Sequence, residues 1–92
     1  MSGTLKRTVE IANQRGLHAR ASAKFVKLAA GFDAEVRVGK DGTMVDARSI
    51  MGLMMLAAGI GTSITVTATG AEAKQVMAAL EELVSGKFGE EE

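Results

Sequence analysis

Residues Thr4 to Ile11 alternate with a period of two, setting Leu5, Val9 and Ile11 on one side and Lys6, Thr8 and Glu10 on the other. That is the pattern of a half-buried strand, although Arg7 interrupts its inward side. Asn13-Gln14-Arg15-Gly16 is a turn signal, and from Leu17 the period becomes helical. Ala21, Phe25, Leu28 and Ala29 mark the buried face of that helix, and Gly31 stops it. Ala34, Val36 and Val38 then alternate with Glu35 and Arg37 as a second strand. Gly39-Lys40-Asp41-Gly42 supplies an Asp-Gly hairpin turn, from which Thr43 to Ala47 returns with Val45 and Ala47 inward. Ser49 is placed to cap a short helix from Ile50 to Ala58, closed by Gly59 and Gly61. Ser63 to Thr69 is the cleanest strand, with Ile64, Val66 and Ala68 against Thr65, Thr67 and Thr69. After Gly70, a stripe of Ala73, Val76, Met77, Leu80, Leu83 and Val84 predicts an amphipathic helix ending near Gly86.

The order is βαββαβα, without Pro, repeat or linker. Alternating strands and amphipathic helices predict an α+β fold in two layers, helices on one face of a sheet and the other face wet. Ninety-two residues make a single domain over 1–92, with an ordered body over about 4–86 and a flexible acidic tail over 87–92 that ends in Glu90-Glu91-Glu92.

Composition narrows the chemistry. Eleven basic and eleven acidic residues cancel, which argues against a whole-domain grip on nucleic acid or anionic membrane. With no cysteine there is no disulfide framework, Cys-based zinc site or thiol nucleophile, and the chain suits a reducing cytoplasm. The first residues lack the apolar stretch of a secretory signal, and the run from Ile50 to Ile60 is too short to span a bilayer. No metal or cofactor is expected, and nothing demands more than a monomer.

The single histidine, His18, falls where the Gly16 turn meets the first helix. A lone histidine is more often a surface or capping residue, but here it stands beside unpaired N–H groups and the positive end of a helix dipole. That is a seat for phosphate or sulfate. Arg20, Lys24 and Lys27 add a cationic edge to the same helix, four and three residues apart. The acidic last helix and tail are expected to lie elsewhere. No neighbouring carboxylate or hydroxyl suggests a relay, and neither Gly59-Ile60-Gly61-Thr62-Ser63 nor Gly86-Lys87-Phe88-Gly89 is a nucleotide loop. A histidine acting alone can still take a phosphoryl group on a ring nitrogen and surrender it. Ser49 is a cap hydroxyl that would tolerate phosphorylation. Beside it, Ile50, Met51 and Met54 exceed the needs of a small core and form a candidate Met-lined docking patch, Leu53 and Leu56 supplying the packing.

Gly16-Leu17-His18-Ala19-Arg20, followed by Ser49-Ile50-Met51-Gly52, strongly resembles the histidine-containing phosphocarrier (HPr) family of the bacterial phosphotransferase system, and the likeness runs from about Thr4 to Val84. The resemblance implies an open-faced β-sandwich, a four-stranded antiparallel sheet with three helices on one face. It implies that His18 accepts a phosphoryl group on Nδ1 from phosphoenolpyruvate by way of Enzyme I and passes it to EIIA domains. The protein would then be a phosphoryl carrier and not an enzyme, serving sugar transport or regulation. Arg20 would steady the phosphoryl group. Ala19, Arg20, Lys24, Lys27, Ile50, Met51 and Met54 would meet the partners. Ser49 matches the serine modified by HPr kinase/phosphorylase where that enzyme exists.

One position departs from the family, which usually has Pro directly after the motif Arg where this chain has Ala21. Alanine is a strong helix former, so the first turn is still expected to form. An alternative is a mainly regulatory interaction module controlled through Ser49. A third reading, an RNA-binding domain on the Arg20–Lys24–Lys27 face, lacks stacking aromatics on its strands.

Overall fold

A computed structural model describes residues 3–90. Its elements run β1 (Thr4–Glu10), α1 (Ala19–Ala30), β2 (Glu35–Lys40), β3 (Thr43–Asp46), α2 (Ile50–Met55), β4 (Ser63–Thr69) and α3 (Ala73–Ser85), followed by a closing turn at Lys87–Gly89. The strands form one antiparallel sheet in the order β1-β4-β2-β3. Strand β4 is central because its alternation is strongest: Ile64, Val66 and Ala68 are buried, facing Val9, Val38 and Val36 of the neighbouring strands. Its threonines lie on the opposite face with Lys6, Thr8, Glu35 and Arg37, where no helix covers them. Arg7, on the inward side of edge strand β1, escapes burial by reaching to Glu81 of α3 at 3.8 Å.

The helices bury their apolar stripes against the inner face. Helix α1 contributes Ala21, Phe25 and Ala29, while α3 contributes Ala73, Val76, Met77, Leu80 and Val84. Phe25 is fully buried, worth about 1.5–3 kcal/mol relative to exposure. The architecture is therefore the expected open-faced, two-layer α+β fold. Between β2 and β3, Asp41 and Gly42 both take positive φ (50° and 83°), the two-residue turn that an antiparallel hairpin favours.

Helix α1 begins at Ala19 with His18, in extended backbone, as its N-cap, at the junction of turn and helix that the sequence marks. Two boundaries differ from the periodicity. Helix α2 stops at Met55, three residues short of Ala58. Ala57 turns left-handed (φ 51°), so the Ala58 carbonyl can accept a hydrogen bond from the Leu17 N–H at 2.9 Å. The second lies after α3. Lys87, Phe88 and Gly89 form a left-handed turn (φ 59°, 55° and 77°), and Phe88 is only 1% exposed within the core. Glu90 follows this ordered turn, while the expectation for Glu91 and Glu92 lies outside the described residues.

Candidate functional site

The site is assembled from the loop before α1, the first turns of α1 and the chain after α3. Gly16 takes φ 65° and packs its bare α-carbon against Ala58 and Gly59. Leu17 is buried beneath it, so the next residue, His18, is held between an anchored loop and a helix start. The His18 carbonyl accepts the first helical hydrogen bond from the Ser22 N–H at 2.8 Å, and the Ser22 hydroxyl donates to the Leu17 carbonyl at 3.1 Å. The imidazole makes no capping hydrogen bond. Its side chain is 22% exposed. Ala21 lies fully buried in the first helical turn, where its lack of bulk suits the packing.

Around this histidine the structure revises the expected division of charge. Glu90, from the acidic end of the chain, sets Oε2 2.5 Å from His18 Nε2. Its other oxygen accepts from Asn13 Nδ2 at 3.0 Å, and the same amide donates to the Gly16 carbonyl at 2.9 Å. Asn13 is fully buried, and its Oδ1 has no hydrogen-bond partner among the described residues. These hydrogen bonds, from Asn13 first and then from His18, hold the Glu90 carboxyl below the usual carboxylate range. Lys24, one turn further along α1, donates to the Phe88 carbonyl at 2.6 Å, so it ties down the closing turn. Arg20 and Lys27 are exposed. The cationic edge of α1 is thus divided, with Lys24 engaged from within.

Ser49 lies apart from this group, at the start of α2. Its hydroxyl accepts from the Gly52 N–H at 2.9 Å, and its own N–H donates to the Asp46 carbonyl. The Arg48 N–H donates to Asp46 Oδ1 at 2.8 Å, which chiefly lowers the Asp46 pKa and braces the approach to the helix. Leu53 and Leu56 are buried, whereas Ile50, Met51 and Met54 are exposed. Met55 of the same helix is 78% exposed, and Ile60 is exposed in the loop that follows, neither singled out by spacing. Helix α2 packs on α1, and the Leu17–Ala58 hydrogen bond links its exit to the histidine loop.

Sequence spacing missed Glu90, Asn13 and Phe88. Glu90 stands 72 residues from His18, beyond the reach of any local pattern. Phe88 did leave a trace: a bulky aromatic just after a helix-ending Gly86 is a frequent sign of a chain folding back on its helix. Among the described residues, no three His, Asp or Glu side chains converge to hold a metal ion, and no helix is long and apolar enough to cross a membrane.

A lone, partly exposed imidazole at a helix N-cap, bonded through Nε2 to a carboxylate, marks the site of this small two-layer domain. Comparison with known proteins gives the class its family. Residues 5–86 match the family model described as the PTS HPr component phosphorylation site. The chain belongs to the HPr family of phosphocarrier proteins of the phosphotransferase system. It is 49% identical over 88 residues to phosphocarrier protein HPr of Cupriavidus necator, covering 96% of this chain and 99% of that one. It is also 43% identical over 89 residues to phosphocarrier protein NPr of Escherichia coli, with the same coverage. The crystal structure of HPr from Thermoanaerobacter tengcongensis superposes with a TM-score of 0.91 at 41% identity, over 96% of this chain and 99% of that one.

Proposed function

We propose that this protein carries a phosphoryl group on His18, accepting it from Enzyme I at the expense of phosphoenolpyruvate and passing it to EIIA domains in the cytoplasm. The observation that carries this reading is the placement of the chain's only histidine, half-buried at the N-cap of α1 in a domain of the phosphocarrier family. The backbone N–H groups of the first turn offer hydrogen bonds to phosphoryl oxygens, and the helix dipole favours their charge. Arg20, exposed two residues on, supplies a guanidinium suited to the same oxygens. Ala19, Arg20 and Lys27 of α1 with Ile50, Met51 and Met54 of α2 form the docking face, to which Met55 belongs by its exposure. Lys24 contributes its charge while it anchors the closing turn.

The decisive experiment is phosphotransfer from phosphoenolpyruvate by Enzyme I. Wild type should gain one acid-labile phosphoryl group and His18→Ala none; equal labelling of the variant refutes the assignment. A second reading, a regulatory module read through Ser49, is favoured by the hydroxyl's position at the edge of the exposed methionine patch. A phosphate from an HPr kinase/phosphorylase would place charge there. That reading prevails if Enzyme I leaves wild type unlabelled while Ser49→Asp changes affinity for a partner.

A further inference from the structure

The contact between Glu90 and His18 has a chemical direction. A glutamate carboxylate at neutral pH only accepts hydrogen bonds. Hydrogen bonds from Asn13 and His18 hold this one in its ionised form. The proton in the 2.5 Å contact must therefore sit on His18 Nε2. In a neutral imidazole the other nitrogen, Nδ1, then carries the lone pair. We propose that Glu90 is a positioning residue, which holds the His18 proton on Nε2 so that Nδ1 is presented as the nucleophile.

The structure invests several residues in keeping Glu90 there. Buried Phe88 anchors the chain two residues before it. Lys24 donates to the Phe88 carbonyl at 2.6 Å, and Asn13 divides its amide protons between the Gly16 carbonyl and Glu90. Three consecutive left-handed residues, Lys87 to Gly89, turn the chain back toward the start of α1. Two of them bear side chains, and such conformations persist only where the surroundings hold them. The charged groups acting on the carboxylate besides the imidazole come from α1, where Lys24 adds attraction. Arg20 lies exposed on the same helix.

This inference rests on the carrier reading for its consequence but not for its geometry. In the transfer, the Nδ1 lone pair forms a bond to phosphorus while the bond from phosphorus to the donor's leaving group breaks, its electrons departing with that group. The proton stays on Nε2. The ring, now bonded to phosphorus at one nitrogen and to hydrogen at the other, is cationic. Glu90 is already in place to balance that charge, as a carboxylate orients and stabilises a catalytic imidazole elsewhere. Onward transfer reverses the change and restores the neutral ring.

The test joins nitrogen-15 NMR of the His18 ring with the Enzyme I assay, on wild type, Glu90→Ala and Glu90→Gln. In the neutral wild-type ring the proton should reside on Nε2 and exchange slowly with water. Glu90→Ala should speed that exchange by roughly tenfold or more, the ratio expected for losing a hydrogen bond to a charged group. Glu90→Gln, whose amide oxygen still accepts, should keep the proton on Nε2. Labelling should slow by roughly tenfold in Glu90→Ala and by less in Glu90→Gln. A wild-type proton on Nδ1, unchanged exchange in Glu90→Ala, or unchanged labelling despite lost protection would overturn the proposal. If Enzyme I labels no variant, the carrier reading fails, while the ring spectra still decide whether Glu90 fixes the proton.

Discussion

A β-carbon on Gly16 would lie 2.3 Å from the Ala58 carbonyl oxygen and 2.9 Å from the Gly59 α-carbon, at a φ of 65°. That carbonyl is the acceptor for the Leu17 N–H, so a methyl group would break the bond that fixes the loop before His18. Gly16→Ala should cost about 1–3 kcal/mol in urea unfolding, from backbone strain and overpacking together. It should also displace the His18 ring resonances. The need for glycine was legible as a turn signal, because the left-handed conformation has a sequence signature. The reason the turn cannot widen was not, since Ala58 arrives from another element. The same holds for the imidazole. Its place at a helix start followed from local spacing, but its carboxylate neighbour depends on how the chain returns after α3.

At the scale of elements, strands and helices with strong periodicity were legible nearly to the residue: β4 and α3 run as their patterns predict, and the Asp41-Gly42 turn follows from its dipeptide. Helix α2 was overestimated because Leu56, Ala57 and Ala58 continue an apolar run that tertiary contacts bend away from the helix axis. The closing turn was missed for the opposite reason. Its flanks are glycine and charge, and only Phe88 records that it docks. Phe88→Ala tests how far that one side chain holds it. The loss should fall at the lower end of the ~3–5 kcal/mol typical of buried Phe→Ala changes, since the segment can peel away from an otherwise intact fold. Hydrogen exchange should show lost protection at the Gly89 and Glu90 amides, which the turn bonds to Gly86 and Lys87, while α1 and β4 stay protected.

For the whole molecule, zero net charge concealed an arrangement, not an absence of electrostatics. The positive end of the helix dipole and the exposed Arg20 lie at the start of α1, while Glu90 sets a carboxylate against Nε2 of the His18 ring. Because folding lowers the Glu90 pKa, its contribution to stability is fully present above the ordinary glutamate value of about 4.3 and is lost as pH falls through the lowered one. A carbon-13 titration of the Glu90 carboxyl should therefore give a midpoint below that value, and Phe88→Ala should restore it. An unshifted wild-type midpoint would remove the attachment from the stability of the domain. The sheet order carries a different kind of consequence. Strand β1 is made first but pairs only with β4, and Thr4 meets Thr69 across 65 residues. Closing so long a loop places folding among the slower mixed topologies. On the ribosome, the first strand must wait unpaired until β4 has emerged, and the histidine loop stays without its floor until Ala58 is made.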